Sequence, residues 1–165
     1  MDKVTPCLWF DGQAEEAARL YTSLIPDSRI VSVDRSAADT PSGPKGMVIT
    51  VEFELGGRSF VGLNGGPDFA FTEAVSMSIE CEDQAEIDRC WDALIADGGE
   101  PSVCGWLKDR YGLSWQVVPK RLTEMYRSGD AAGAERAMQA MLQMRKLDIA
   151  ELERAYAGGP VGTTA

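Results

Sequence analysis

Eight stretches of the chain carry strand patterns, alternating apolar and polar residues with a period of two or rich in β-branched and aromatic residues, and two of the gaps between them have helical spacing. Val4 to Phe10 reads as a first strand, with Val4, Pro6, Leu8 and Phe10 on one face and Thr5, Cys7 and Trp9 on the other. Asp11 and Gly12 turn the chain. From Gln13 to Ile25 the apolar positions Ala14, Ala17, Ala18, Tyr21, Leu24 and Ile25 predict an amphipathic helix that Pro26 stops. Ser28 to Arg35 and Met47 to Leu55 predict strands on either side of a loop, 36–46, rich in Pro, Gly, Ser and Ala. Gly56-Gly57 supplies the positive φ angles of a two-residue hairpin, so Arg58 to Asn64 is expected to return antiparallel. Gly65, Gly66 and Pro67 end this first βαβββ unit, 1–67.

The order repeats in 74–119 without evident sequence identity. Val75 to Glu82 alternates, Asp83 is a helix cap, and Ile87, Cys90, Trp91, Leu94 and Ile95 form the apolar stripe of a helix running to about Ala96. A weak strand pattern around Glu100 to Cys104 precedes a strand at Trp106 to Lys108, a turn near Asp109 to Gly112, and a strand at Ser114 to Val118. In that last strand Ser114, Gln116 and Val118 share one face, and Trp115 and Val117 the other. The charges Lys108, Asp109 and Arg110 read as a solvated turn, with a catalytic cluster as the alternative. Beyond Pro119 three helices are expected over 120–157: Lys120 to Ser128, one capped by Asp130 and running to about Lys146, and one capped by Asp148 and running to Tyr156. Met138, Met141, Leu142 and Arg145 share a face of the middle one, a stripe expected to pack in a core or against a subunit. The last stretch, 158–165, reads as a frayed tail.

Composition narrows the function. The length of 165 residues and 44% hydrophobic content suit a single domain with one buried core, and the formal charge of −10 argues against binding through a phosphate backbone, so no nucleic acid is expected as a partner. No apolar run reaches the roughly 18 to 20 residues of a membrane span, and the start lacks a signal peptide's basic and apolar parts, so a cytoplasmic protein without a membrane partner is expected. The four cysteines form no CxxC pair and read as small buried hydrophobes. Histidine is absent, which removes the usual general base, the usual zinc or iron ligand and every Ser-His or Cys-His pair. Glycine pairs at 56–57, 65–66 and 98–99 join or end strands and helices, and none has the strand-to-helix placement of a nucleotide-binding loop.

The phrases PCLWFDGQAEEAARLY, LGGRSF, CGWLKDRYGLSWQVVP and AMLQMRKLDIAELERAYAG, on paired βαβββ units, are similar to the PhnB-like branch labelled 3-demethylubiquinone-9 3-methyltransferase. That branch lies in the vicinal-oxygen-chelate superfamily of glyoxalase I, extradiol dioxygenases and bleomycin-resistance proteins. The resemblance spans nearly the whole chain, the helical tail included. It implies an α+β fold in which two paired βαβββ units form mixed curved sheets, with a C-terminal helical tail, and it implies a homodimer. The metal ligands of the chelating members map near Pro6, near Gly62 or Asn64, at Ser76 and at Gln116. None of these is His, Asp or Glu, so no metal and no cofactor are expected, with Glu52, Glu54 or Glu80 as the nearest oxygen ligands should the register differ by one.

Two function classes follow, and a third competes. The first is a metal-free pocket for a small aromatic or planar molecule, one per βαβββ sheet cup, lined by Trp9, Phe10, Asn64, Ser76, Trp106, Trp115 and Gln116. The second is an enzyme of the family, a methyltransferase as its label says or a lyase, isomerase or dioxygenase, with an acid or base drawn from Asp11, Glu52, Glu80, Asp109 or Tyr111. The third is an interaction module built on the Met-bearing tail helices. Equal weight falls on ordinary sheet packing for each tryptophan.

Overall fold

The computed structural model describes residues 3–41 and 43–159. Residues 1, 2, 42 and 160–165, which include part of the chain start, of loop 36–46 and of the tail expected to fray, lie outside it. The chain divides into two compact units, 1–71 and 72–165.

The first unit runs β1 (Cys7–Phe10), α1 (Ala14–Leu24), β2 (Arg29–Arg35), β3 (Val48–Leu55) and β4 (Arg58–Asn64), in the predicted order. Its mixed sheet has the strand order β1-β4-β3-β2, with β1 parallel to β4 and the other pairs antiparallel. The hairpin closes where expected, with Leu55 opposite Arg58 and both glycines at positive φ. Helix α1 buries Ala14, Ala17, Ala18, Tyr21 and Leu24. Alanines there let the helix come close: a Cβ at Gly62 of β4 would lie 3.2 Å from that of Ala14. Phe53 stacks on Phe60 at 5.6 Å and meets Tyr21 at 6.4 Å, and each such buried ring contributes about 1.5–3 kcal/mol.

The second unit runs β5 (Ser76–Cys81), α2 (Gln84–Ile95), β6 (Glu100–Pro101), β7 (Trp106–Lys108) and β8 (Ser114–Pro119), followed by α3 (Lys120–Arg127), α4 (Ala131–Met141) and α5 (Ile149–Tyr156). Its sheet has the order β5-β8-β7-β6, again with first and last strands of the βαβββ unit paired in parallel. Asp83, Asp130 and Asp148 cap α2, α4 and α5, each accepting a backbone N–H three residues on, as their positions predicted. The architecture is therefore α+β, with two βαβββ units and a helical tail, as the resemblance implies.

The tail departs from expectation at the end of α4, and only part of the expected stripe packs within this chain. Helix α4 stops at Met141, because 142–146 turn back to pair with Cys104 and Gly105. Its buried face is Gly133, Ala137 and Ala140, whereas Met138 and Leu142 of the expected stripe are 47% and 54% exposed. Close approach to α5 selects small residues: a Cβ at Gly133 would lie 2.8 Å from the Tyr156 ring. Met141 and Met144 do pack against the tail core of Leu122, Met125, Ala137, Leu147 and Leu152. Among the described residues no helix is long and apolar enough to cross a membrane.

Candidate functional site

The β7–β8 hairpin is built by one carboxylate. Asp109 is 2% exposed, and its Oδ1 accepts from the backbone N–H of Tyr111 and Leu113 at 2.9 and 3.0 Å while its Oδ2 accepts from Trp115 Nε1 at 2.9 Å. Gly112, at φ 84°, donates its N–H back to the Asp109 carbonyl. The charges read as a solvated turn thus include a buried one, because a carboxylate with three N–H donors is compensated for its desolvation. Arg110 pairs with Asp97 at 2.9 Å.

This hairpin sets the side chains of one sheet face. Lys108 lies opposite Ser114 and Trp106 opposite Gln116 across β7 and β8, and Ser76 and Ser78 of β5 lie beside Ser114 and Gln116. Trp106, Lys108 and Ser114 line a cavity of about 450 Å³ whose rim adds Glu73, Glu100 and Cys104. Ser114 is 1% exposed, and its Oγ has no hydrogen-bond partner. Lys108 Nζ meets Glu73 at 2.5 Å, which holds the Glu73 carboxyl below and the Lys108 ammonium above their ordinary values, chiefly through that hydrogen bond. Ser76 and Gln116 share this face but do not line the cavity, and Gln116 Nε2 donates to Ser76 Oγ at 2.9 Å. Trp115 stands on the opposite face of β8, fully buried. The alternation that separates Ser114 and Gln116 from Trp115 was readable in advance; Lys108 shares the period with Trp106, but Glu73 and Cys104 sit in loops with no such signal.

The three expected site residues of the first unit have packing partners. Trp9 Nε1 donates to the Gly66 carbonyl at 2.8 Å, and its ring packs edge-on against Phe69 at 4.9 Å. A Cβ at Gly65 would lie 2.2 Å from that indole, so glycine there is required. Phe10 is buried and meets Phe71 at 5.3 Å. Asn64, 3% exposed, accepts from the Ala14 N–H at 2.9 Å and donates to the Val48 carbonyl at 3.0 Å, tying α1 and β3 to the end of β4. A hollow of about 40 Å³ in this unit, bordered by Thr5, Val31 and Glu52, includes none of the three.

The donor set does not fit a metal ion. Among the described residues no group of three His, Cys, Asp or Glu side chains is placed to hold one. At the positions that would chelate, Gln116 and Ser76 are bonded to each other, Asn64 is spent on backbone, and Gly62 has no side chain. The cysteines differ from their expected uniform burial: Cys81 and Cys90 are buried, Cys104 is half-buried and Cys7 is exposed. The hydrogen bond to Cys90, with burial behind it, holds the Cys81 thiol protonated.

Residues 2–118 match the model of the 3-demethylubiquinone-9 3-methyltransferase family. The chain belongs to that family. A solved structure described as a putative 3-demethylubiquinone-9 3-methyltransferase, PhnB protein, from Bacillus cereus is 37% identical to this member, over 72% of this chain and 99% of that one, with a TM-score of 0.65. Protein PA1353 from Pseudomonas aeruginosa, 20% identical over 72% of this chain and 98% of its own, shares the fold with a TM-score of 0.53. No curated protein matches. The family match ends at the last residues of β8, so the tail helices of this member lie beyond it, although the resemblance was expected to run through them.

Proposed function

We propose that this chain binds a small aromatic or planar molecule, without a metal or cofactor, in the cavity of its second unit. The observation that carries the reading is Ser114 Oγ, a buried hydroxyl without a partner on the wall of a roughly 450 Å³ cavity. The Ser114 oxygen is sealed from water, so solvent does not pair it in the ligand-free state, and a ligand reaches it only by displacing a neighbouring cavity side chain; the hydrogen bond then formed offsets the cost of the unpaired hydroxyl. The Trp106 ring offers a flat apolar wall, and Ser76 and Gln116 extend the polar face beside it. Trp9, Phe10 and Asn64 belong to the first unit and Trp115 to the opposite face of β8; each is occupied by packing or hydrogen bonds, and none lines this cavity. A homodimer in the cytoplasm belongs to the same reading and rests on the family resemblance; sedimentation velocity at micromolar concentration tests the dimer.

The test is a titration of the chelator-treated protein with 2-naphthol, followed by tryptophan fluorescence and calorimetry. Saturable binding is expected, weakened by Ser114→Ala and by Trp106→Ala. Absence of binding, or equal binding by both variants, overturns the reading. Thermal unfolding with Mn, Fe(II), Ni, Zn or Mg is expected to show no rise in midpoint, and a rise with one ion per chain defeats the metal-free part.

A second reading, methyl transfer, is favoured by the description of the family itself. The cavity would then serve the acceptor molecule, and a methyl donor would need its own place. Calorimetry with S-adenosylmethionine, alone and with 2-naphthol present, separates the two: heat of binding supports the transferase, and none leaves the binding protein.

A further inference from the structure

The cavity wall at Cys104 has an unusual backbone. Cys104 and Gly105 are consecutive left-handed residues, at φ 58° and 81°, a conformation that a cysteine rarely adopts. The segment is held from two sides. Gly105 accepts from the Val117 N–H of β8 at 2.8 Å, while Cys104 and Gly105 donate their own N–H groups to the carbonyls of Met144 and Arg145 at 2.7 and 2.8 Å. Space is equally tight: a Cβ at Gly105 would lie 2.8 Å from the Val117 carbonyl oxygen and 3.1 Å from Leu147 Cδ1. The wall is therefore a bridge between the sheet and a tail segment that follows α4.

That tail segment is itself clamped to α2. The Gln84 side chain, at the first residue of α2, donates from Nε2 to the Leu147 carbonyl at 3.1 Å and accepts at Oε1 from the Ile149 N–H at 2.9 Å. Lys146 pairs with Asp88 one turn along α2 at 2.8 Å, and Leu147 is buried in the tail core. One amide thus satisfies both a carbonyl and an N–H of the chain that sets the Cys104 wall. The match to the family model covers residues 2–118, so residues beyond the matched stretch shape the cavity within it.

We propose that the tail is a working part of the small-molecule site. Met144 to Leu147 fix the wall at Cys104 and Gly105, and Gln84 is the positioning residue that fixes Met144 to Leu147. The consequence for binding rests on the cavity being the ligand site; the consequence for the wall does not.

The experiment uses the full chain and two readouts that need no ligand: hydrogen exchange of the Cys104 and Gly105 amides, and the rate at which iodoacetamide alkylates Cys104 relative to the exposed Cys7 of the same chain. Gln84→Met keeps the side-chain volume and removes both hydrogen bonds to the tail, together with the one to Asp88 within α2. It is expected to speed both readouts by about five-fold or more and to weaken 2-naphthol binding by a similar factor. Arg121→Met removes the ion pair with Glu153 between α3 and α5, away from the clamp, and is expected to leave both readouts at the wild-type value. Wild-type rates in Gln84→Met, or equal rises in Arg121→Met, overturn the proposal. Should Gln84→Met fail to fold, Leu147→Val carries the same comparison. If 2-naphthol does not bind even the wild type, the ligand reading fails while the exchange and alkylation results still decide the role of the tail.

Discussion

Replacing Ser114 by alanine should stabilise the ligand-free protein while weakening its binding. The hydroxyl is 1% exposed and lacks a partner, so the folded state bears the desolvation cost of an unpaired polar group, about 1–3 kcal/mol. Alanine removes the oxygen and leaves a gap of one atom, which returns only a little of that gain through lost dispersion contacts. For a chain of this size each kcal/mol moves the midpoint by about 2–4 °C, so Ser114→Ala is expected to melt about 2–10 °C higher. The assay is scanning calorimetry of ligand-free protein, with urea unfolding as a check on the sign. An ordinary core serine behaves in the opposite way, because its alanine variant loses a hydrogen bond worth about 1 kcal/mol. The same variant should bind 2-naphthol about 2- to 12-fold more weakly, the equivalent of about 0.5–1.5 kcal/mol. A fall in stability, or unchanged affinity, would show that the hydroxyl serves the fold and would refute the reasoning.

Asp109→Ala strands three N–H donors, one of them the Trp115 indole, and should cost at least about 3 kcal/mol in urea unfolding. Gly112→Ala, at φ 84° with open space around the new Cβ, should cost about 1–2 kcal/mol; Gly105→Ala adds the collision with Val117 and should cost clearly more in a parallel melt. Asn64→Asp keeps the acceptor for the Ala14 N–H but turns an oxygen toward the Val48 carbonyl, so a loss of about 1–3 kcal/mol is expected by chemical denaturation, with 2-naphthol affinity unchanged. Hydrogen bonds from Lys146 and then Gln84 hold Asp88 below its ordinary 3.8. A depressed folded value means stability that is present above 3.8 and lost as pH falls through the folded value. The gap in melting point between wild type and Lys146→Met should therefore be steady near neutrality and shrink below about pH 4; a gap that widens in acid contradicts the assignment.

Periodicity was a reliable guide where one face of an element meets a single partner. The β3–β4 hairpin, the α1 stripe and the three aspartate caps all sit where local chemistry puts them, since their causes lie within a few residues. Asp109 was read as solvated because nothing in its neighbours announces that Trp115 will fold back over it; burial of a charge depends on tertiary donors. The end of α4 was placed five residues late for a related reason: 142–146 has no helix breaker, and the competing partners, Cys104 and Gly105, are some forty residues away in the chain. Strand alternation put Trp106, Ser76 and Gln116 on the faces they occupy, but of the three only Trp106 lines the cavity, while Gln116 and Ser76 are bonded to each other beside it. Ser114 was placed on the right face without its significance, which lies in a missing partner that only the three-dimensional packing reveals.

Both units close their sheets by a parallel pairing of first strand with last. During synthesis this leaves β1, ending at Phe10, without its neighbour until β4 has emerged through Asn64, its register partner. At about 5–20 residues per second the ribosome takes roughly 3 to 11 s to make that stretch. Through that interval Leu8, Trp9 and Phe10 form an apolar strand with no sheet to join, and β5 repeats the wait for β8. The order of strands that shapes the finished protein thus makes its earliest strand the one a ribosome-bound chaperone has most reason to hold.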